Sequence, residues 1–318
     1  MHRLQDSRRN SRTADCLISS TLTQALQSDD LPANPVGRFA PSPTGSLHLG
    51  SLLAALASYC DIRKRGGLWQ LRIDDIDGPR SVPGSADAIQ RTLDTLGFQW
   101  DGPVLWQGER LERYRAALQQ LIDEDLVFAC HCSRKSLPRD QVYPGRCRHH
   151  RVDHFPIDDH AIRLQLTGHV AFDDAVQGLQ QFDLSRDVGD SIVWRRDGLV
   201  SYALACAVDD ADNVTHVVRG ADLLAGTGAQ LGIIKALHLT APDYAHVPVA
   251  LDANGDKLSK HSLARPIDDS DPLQILQQAW QLLGQADLPP SATLAEFWSQ
   301  AVPAWQMSQV PHTRYISV

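Results

Sequence analysis

The Gly-, Pro- and Ser-rich segment at residues 37–50 has a composition that suits a phosphorylated ligand. Residues 52–57 are rich in good helix formers and lack β-branched side chains, so a helix is predicted to begin near His48. The first turn of a helix has unpaired N–H groups and the positive end of the dipole, which stabilise phosphate oxygens. Gly45 and Gly50 allow close approach, and His48 can donate a hydrogen bond. The segment is therefore predicted to bind a nucleoside triphosphate.

A second charged segment lies about two hundred residues further along the chain. Lys257 and Lys260 are three residues apart and follow the turn-forming pair Asn254 and Gly255. This pattern predicts a mobile, positively charged loop that can follow charge onto a triphosphate during a reaction. On its own such a run is typical of a solvated surface loop, and its pairing with residues 37–50 favours the functional interpretation.

Three of the six cysteines, Cys130, Cys132 and Cys147, lie close together in the sequence. In a chain without a visible secretion signal, this spacing indicates a metal site rather than a disulfide. A tetrahedral zinc ion needs one more ligand. The candidates for that ligand are His131, Tyr143, His149 and His150. Chemistry alone favours a histidine, because a tyrosine must first lose a proton whose ordinary pKa is about 10.

The composition describes a globular chain whose 318 residues, 43% of them hydrophobic, can form one large domain with a small insertion. A net charge of -8 argues against binding nucleic acid by bulk attraction, so an RNA contact is expected to be local, with residues 134–151 as the best basic patch. No membrane span or cleavable leader is visible, and a cytoplasmic location is predicted. Residues 1–34 are predicted to be a poorly ordered extension.

Strand-like and helical runs alternate along the chain, as in nucleotide-binding α/β domains. The predicted strands are residues 36–40, 68–73, 191–194, 214–218 and 246–251. The predicted helices are residues 50–63, 85–96, 111–125, 228–238, 273–283 and 294–305.

The two charged segments together resemble a known family. Residues 38–50 match the signature Arg-Phe-Ala-Pro-Ser-Pro-Thr-Gly-x-Leu-His-x-Gly, and residues 257–261 are similar to a Lys-Met-Ser-Lys-Ser loop. Both are signatures of the class I aminoacyl-tRNA synthetases, in their glutamyl and glutaminyl branch. The resemblance implies a Rossmann-like parallel core with its ligand site at the carboxyl ends of the strands. It further implies the following division: core 35–97 and 191–265, an inserted acceptor-type subdomain 98–190, and a short helical segment 266–318.

The resemblance also implies the reaction. ATP, accompanied by Mg²⁺, would activate glutamate, with His48, Lys257 and Lys260 stabilising the charge that develops on the phosphates. The residues expected to contact ATP are Thr44, Gly45, His48, Gly50, Ser51, Lys257, Ser259 and Lys260. Ser51 stands where many class I enzymes have a second histidine.

A glutamate pocket is implied in the same way. The branch has arginines at the positions of Arg38 and Arg219, where each guanidinium can hold a carboxylate in a bidentate manner. The family's ammonium-binding glutamate is replaced by Asp74, whose side chain is one methylene shorter. Tyr202 matches a pocket tyrosine of the family. The remaining expected contacts to glutamate come from the first signature, at Phe39, Ala40, Pro41 and Ser42.

For the metal, the resemblance selects one of the candidate ligands. Small glutamyl-synthetase-like enzymes carry Cys-x-Cys followed by Tyr-x-x-x-Cys, and residues 143–147 fit the second part. A zinc-containing knob is therefore expected at residues 130–147. Its expected ligands are Cys130, Cys132, Tyr143 and Cys147.

The acceptor is predicted from the short region after the lysine loop. Only about 58 residues follow Lys260, which leaves no room for the anticodon-binding region of a full glutamyl-tRNA synthetase. With the cysteine pattern, this resembles the glutamyl-Q tRNA(Asp) synthetases, which attach glutamate to the queuosine base at the wobble position of tRNA(Asp). The alternatives are a glutamyl-tRNA synthetase lacking its anticodon domain and a catalytically idle paralogue that binds RNA or a protein. A monomer is expected.

Overall fold

The computed structural model describes residues 34–133, 136–137, 142–155, 159–252, 255, 267 and 270–318. The strands are β1 (Val36–Phe39), β2 (Leu68–Ile73), β3 (Leu105–Trp106), β4 (Val127–Cys130), β5 (Ala161–Leu164), β6 (His169–Asp174), β7 (Gly178–Asp183), β8 (Ser191–Trp194), β9 (His216–Gly220), β10 (Asp243–Val247), β11 (Val249–Leu251) and β12 (Tyr315–Ser317). The α-helices are α1 (Leu49–Lys64), α2 (Ser85–Thr95), α3 (Leu111–Asp123), α4 (Tyr202–Asn213), α5 (Leu224–Ala236), α6 (Pro272–Leu282) and α7 (Leu294–Ala304).

A five-stranded parallel sheet in the order β10-β9-β1-β2-β3 forms the centre of the fold. In the middle of this sheet, Val36 of β1 pairs with Leu68 of β2, and Gly37 pairs with His216 of β9. Every residue of β1 is buried, because a parallel sheet is covered by helices on both faces. The predicted α/β architecture with a parallel core is confirmed.

Helix α1 connects β1 to β2 and runs through the main hydrophobic core. Leu52, Leu53 and Leu56 are completely buried, so the helix is apolar on almost every side over its middle turns. Its last turn carries Arg63 and Lys64, whose positive charges suit the negative end of the helix dipole. Because the helix is anchored in the core, it fixes the position of the loop that connects β1 to its first turn.

Three predicted elements differ from the structure in their bounds. The strand predicted at 246–251 is divided at Pro248, which has no N–H for a strand ladder, into β10 and β11. The strand predicted at 214–218 lies two residues further along as β9, and the helix predicted at 228–238 begins at Leu224. The other predicted strands and helices match the observed ones closely.

The insertion contains an antiparallel sheet, β4-β5-β8, and the hairpin β6-β7. Two strands pair across the predicted boundaries of the insertion. Strand β8, expected in the core, pairs with β5, and β3, expected in the insertion, pairs with β2 of the central sheet. Both are short strands, and a local pattern does not specify which neighbour such a strand pairs with.

The segment after residue 270 packs on the core. Trp280, Phe297 and Trp305 are buried in the same hydrophobic cluster as α1, and β12 pairs in parallel with β11 through Tyr315 and Val249. Within the part of the chain that the structure describes, no helix combines the length and the apolar character needed to cross a membrane.

Candidate active site

An open cavity of about 300 Å³ lies at the carboxyl ends of β1 and β9, beside the first turns of α1 and α4. The predicted ATP and glutamate contacts that line it are Arg38, Phe39, Ala40, Pro41, Ser42, Thr44, His48, Gly50, Ser51, Tyr202 and Arg219. Among the predicted contacts in the described ranges, Gly45 and Asp74 are absent from this lining. The two signature arginines and the helix start thus share one cavity, as a nucleotide and an amino acid that react together require.

His48 occupies the N-cap position of α1. Its Nδ1 accepts a hydrogen bond from the Ser51 backbone N–H at 3.3 Å, so the proton of the neutral ring is on Nε2, 3.2 Å from the Ser51 hydroxyl. Ser51 therefore contacts the His48 ring through both its backbone N–H and its hydroxyl. This tautomer presents Nε2–H as the group that can donate to a phosphate.

Gly45, a predicted ATP contact, is hydrogen-bonded to Ser85. Its N–H donates to the Ser85 hydroxyl at 2.9 Å, and the same hydroxyl donates to the Gly45 carbonyl at 2.7 Å. Its φ of 142° lies in the region that favours glycine. Gly45 therefore shapes the loop and anchors it to α2, while its N–H is unavailable to a phosphate.

Arg38, which is buried at the base of the cavity, forms a bidentate ion pair inside the protein. Its Nε and Nη2 each lie 3.1 Å from a carboxylate oxygen of Asp210 on α4. Burial would raise the pKa of the Asp210 carboxyl, but the Arg38 and Arg72 guanidinium groups outweigh it and hold that pKa well below its usual range. Arg38 is expected to bind glutamate, but its Nε and Nη2 donate to Asp210 in this structure.

Arg219, the residue before the last one of β9, also forms hydrogen bonds inside the protein. Its Nε donates to His246 Nε2 at 3.0 Å, and its Nη2 donates to the Thr227 hydroxyl at 2.8 Å. Its Nη1 is buried and makes no hydrogen bond among the described residues. A buried cationic donor without a partner costs free energy, and it marks the place where a carboxylate of a ligand would be stabilised.

Asp74, predicted as the ammonium ligand, is absent from the cavity lining and is paired inside the protein. Its two carboxylate oxygens lie 2.7 and 3.3 Å from Nε and Nη2 of Arg72, two residues earlier at the end of β2. Burial raises the pKa of the Asp74 carboxyl even though Arg72 acts in the opposite direction. The shorter side chain is neutralised by its neighbour, and Arg72 also donates to Asp210 at 2.7 Å.

The acidic pair on α4, Asp209 and Asp210, is not among the residues predicted from the sequence. Asp209 accepts hydrogen bonds from the Arg110 Nε at 2.8 Å and from the Tyr114 hydroxyl at 2.8 Å, and both donors belong to the insertion. The signal that could have identified this pair is its position in an otherwise apolar helix, because a carboxylate buried there requires cationic partners. The network connects the floor of the cavity to the insertion.

Of the remaining predicted contacts, the structure describes Tyr202 but not the lysine segment. Tyr202 begins α4 and lines the cavity with 40% of its surface exposed. Lys257, Ser259 and Lys260 lie outside the described residues. Strand β11, which precedes them in the sequence, contributes Val249 to the cavity lining.

The three clustered cysteines come together at the end of β4. The sulfur atoms of Cys130, Cys132 and Cys147 all lie within 4.8 Å of one another. A zinc ion bonded to sulfur at about 2.3 Å in tetrahedral geometry requires sulfurs about 3.8 Å apart, and the Cys132 and Cys147 sulfurs are 3.7 Å apart. The sulfur arrangement fits a metal site.

The Tyr143 hydroxyl lies beside these sulfurs and is the predicted fourth ligand. It lies 3.6 Å from the Cys130 sulfur and 3.9 Å from the Cys132 sulfur. Burial raises the pKa of this hydroxyl, so only the charge of a bound metal would favour its phenolate. In the described part of the chain, the group of potential metal-binding atoms contains these sulfurs and no imidazole nitrogen.

The histidine alternatives pack against one another. The ring centroids of His131 and His150 are 4.3 Å apart, and those of His149 and His150 are 4.0 Å apart. Two arginines of the predicted basic patch are also occupied, because Arg148 pairs with Asp190 at 2.7 Å and Arg151 pairs with Asp125 at 2.8 Å. These two arginines of the described patch are therefore already paired with carboxylates of the protein.

The comparisons with known proteins agree with this site. Residues 36–274 match the family model of the catalytic domain of class I tRNA synthetases for E and Q. The chain belongs to this family of class I tRNA synthetases. Relatives from Aromatoleum aromaticum and Methylococcus capsulatus are 45% and 47% identical, each over 89% of this chain and over 92% and 95% of their own lengths. Both relatives are named glutamyl-Q tRNA(Asp) synthetase.

Solved structures support the fold. The glutamate-tRNA synthetase of Elizabethkingia anophelis aligns with a TM-score of 0.74 at 23% identity, over 90% of this chain and 68% of that one. A glutamate tRNA ligase of Elizabethkingia meningosepticum, in complex with its amino acid, gives a TM-score of 0.73 at 24% identity, over 89% and 66% of the two chains. The class I synthetase fold predicted from the two signatures is confirmed.

Proposed function

We propose that this chain activates L-glutamate with ATP and transfers the glutamyl group to the queuosine base at the wobble position of tRNA(Asp). The observation that carries the amino-acid part is Arg219, which lines the cavity and whose Nη1 is buried and makes no hydrogen bond in the described structure. A neutral side chain there would leave the cation unpaired, whereas a carboxylate of glutamate neutralises it.

The chemistry requires no nucleophile from the protein. An oxygen of the glutamate α-carboxylate attacks the α-phosphorus of ATP, the bond to the bridging oxygen breaks, and pyrophosphate leaves. The first-turn N–H groups of α1 and the Nε2–H of His48 stabilise the charge on the phosphates, and Lys257 and Lys260 add to this from their loop. Mg²⁺ bound with ATP would supply further positive charge to the phosphates.

The acceptor is supported by the relatives. Proteins that are 44–47% identical and aligned over nearly their whole length are named glutamyl-Q tRNA(Asp) synthetase. The glutamyl adenylate would lose AMP as a hydroxyl of the acceptor attacks its carbonyl carbon. We further propose that the enzyme works as a monomer in the cytoplasm, where its tRNA substrate is found.

One set of assays tests this function with the purified chain. Exchange of labelled pyrophosphate into ATP is expected with glutamate and without tRNA, and labelled glutamate is expected to pass to tRNA(Asp) that contains queuosine. Transfer to tRNA(Asp) lacking queuosine is the matched control and is expected to fail. Charging of tRNA(Glu) would instead identify a truncated glutamyl-tRNA synthetase, and absence of exchange would identify an idle paralogue.

We also propose that Cys130, Cys132, Cys147 and Tyr143 hold one structural zinc ion. Its bonds would join β4 to the loop after residue 142 and contribute directly to folding of the knob. The spacing of the sulfurs and the position of the tyrosine hydroxyl between two of them support this set.

The zinc site gives a testable prediction. Metal analysis is expected to find one zinc per chain, and Cys147→Ser should lose it. Tyr143→Phe should release zinc to a chelator faster by about tenfold or more, because one bond is removed. His131→Ala and Cys60→Ser, which alter a neighbouring imidazole and a buried thiol of α1, should retain zinc like the wild type. Faster release of zinc from His131→Ala than from Tyr143→Phe would identify His131, and not Tyr143, as the fourth ligand.

A further inference from the structure

A buried acid–imidazole pair, Asp174 and His246, contacts Arg219, which lines the cavity. Asp174 ends β6 and His246 lies in β10, and both side chains are fully buried. The Asp174 Oδ2 lies 2.5 Å from His246 Nδ1, and His246 Nε2 accepts from Arg219 Nε at 3.0 Å. The three side chains form a continuous chain of hydrogen bonds that ends at the cavity.

The geometry determines which ring nitrogen carries the proton. A guanidinium has only donors, so Nε2 must present a lone pair to Arg219. The Asp174 carboxylate has only acceptors when ionised, so Nδ1 must carry the proton. Hydrogen bonds from the imidazole and from backbone N–H groups outweigh the effect of burial and lower the pKa of Asp174, which keeps it ionised. Each group in the chain therefore specifies the state of the next.

Asp174 is itself held by the backbone. Its Oδ1 accepts from the N–H groups of His246 at 3.0 Å, Val176 at 3.0 Å and Gln177 at 2.8 Å. These bonds fix the carboxylate at the turn of the hairpin β6-β7, which belongs to the insertion. The insertion thus supplies a group that controls an arginine of the central sheet.

We propose that Asp174 and His246 are positioning residues that hold Arg219 with its Nη1 directed to the ligand, and thereby set the selectivity for an acidic amino acid. This inference rests on the proposed function, because it takes glutamate as the ligand of Arg219. Thr227 complements the pair by accepting from Nη2, so that two of the three guanidinium nitrogens are fixed by the protein and the third is left for substrate.

The Asp174→Asn variant tests the proposal. The amide oxygen can still accept from the three backbone N–H groups, which places the amide NH₂ against His246 Nδ1. The ring must then accept at Nδ1 and carry its proton on Nε2, facing the N–H of Arg219. The KM for glutamate in pyrophosphate exchange is expected to rise about tenfold or more, the usual cost of losing a hydrogen bond to a charged group. The KM for ATP should remain unchanged.

Gln177→Ala provides the matched control on the same turn. Its amide donates to the carbonyls of His246 at 2.9 Å and Thr313 at 3.0 Å, so its removal loosens the hairpin without altering the tautomer. The glutamate KM of this variant should equal that of the wild type. Equal increases in both variants, or no increase in Asp174→Asn, would overturn the proposal.

A spectroscopic measurement keeps the test independent of activity and of folding of the variant. In ¹⁵N spectra of labelled histidines, the His246 signals are those that disappear in His246→Gln. The wild-type ring is expected to be protonated on Nδ1, and the Asp174→Asn ring on Nε2. Protonation of the wild-type ring on Nε2 would refute the proposed chain of hydrogen bonds from Asp174 through His246 to Arg219. A wild type without glutamate-dependent exchange would refute the proposed function, while these spectra would still decide the tautomer.

Discussion

Replacing Arg219 by alanine is expected to lower kcat/KM for glutamate in pyrophosphate exchange by roughly a hundredfold to a thousandfold. Truncating one partner of a buried, hydrogen-bonded charge pair costs about 2–5 kcal/mol, a factor of roughly 30 to 4,000, and the expected loss lies in the middle of that range. Nη1 makes no hydrogen bond among the described residues, so its full interaction is available to substrate. The loss should appear in the glutamate KM at least as much as in kcat.

Arg219→Lys separates charge from geometry in this prediction. A lysine keeps the positive charge, but a single ammonium cannot bind His246, Thr227 and a carboxylate in the directions that the guanidinium uses. Activity should therefore stay close to that of Arg219→Ala. The matched control is Arg115→Ala on α3, an arginine with half of its side chain exposed, which should exchange like the wild type. Retention of normal glutamate kinetics in Arg219→Ala would exclude this arginine from the amino-acid site.

The local parts of the nucleotide site were predictable from the sequence because their physics is local. A strand, a turn with glycine and a helix that begins on a capping side chain are encoded within about fifteen residues, and the observed β1 and α1 follow the predicted bounds closely. The cluster of three cysteines was predictable for the same reason, since the cysteines lie on one short stretch. Local spacing restricts such groups to one place in any fold.

The support behind the cavity was not predictable, because it joins distant residues. His246 meets Asp174 across 72 positions of the chain, and Arg38 meets Asp210 across 172. No spacing rule connects such pairs. The pairing of Asp74 was missed for the opposite reason, since its partner Arg72 is only two residues away and both side chains are buried at the end of the strand. Matching the family pattern residue by residue could not show this neutralisation.

Replacing Asp210 by asparagine is expected to lower the free energy of unfolding by about 3–5 kcal/mol, the cost of breaking a buried ion pair from one side. The carboxylate accepts three hydrogen bonds from two arginines, at 3.1 and 3.1 Å from Arg38 and 2.7 Å from Arg72. An amide would offer one acceptor and would direct its own donors at a guanidinium. Urea unfolding, with the slope of the transition checked for constancy, measures the loss.

Asp212→Asn on the same helix is the matched control. This carboxylate also pairs with two arginines, Arg110 and Arg113, but its side chain is 23% exposed and its partners are more exposed than those of Asp210. Water screens such a pair, so the expected loss is about 1 kcal/mol or less. Equal losses in the two variants would mean that burial does not determine the strength of the network.

The pH dependence of the Asp210→Asn effect follows from the direction of the pKa shift. Arg38 and Arg72 lower the pKa of Asp210 in the folded protein below its value in the unfolded chain, against the effect of burial. The carboxylate therefore contributes its full stability above the unfolded pKa, about 4, and loses it as the pH falls towards the folded pKa. The difference between wild type and variant should stay constant from neutral pH down to about pH 5 and shrink below it. A difference that instead shrank as the pH rose from 5 to 8 would show that Asp210 is not the ionised partner of the two arginines.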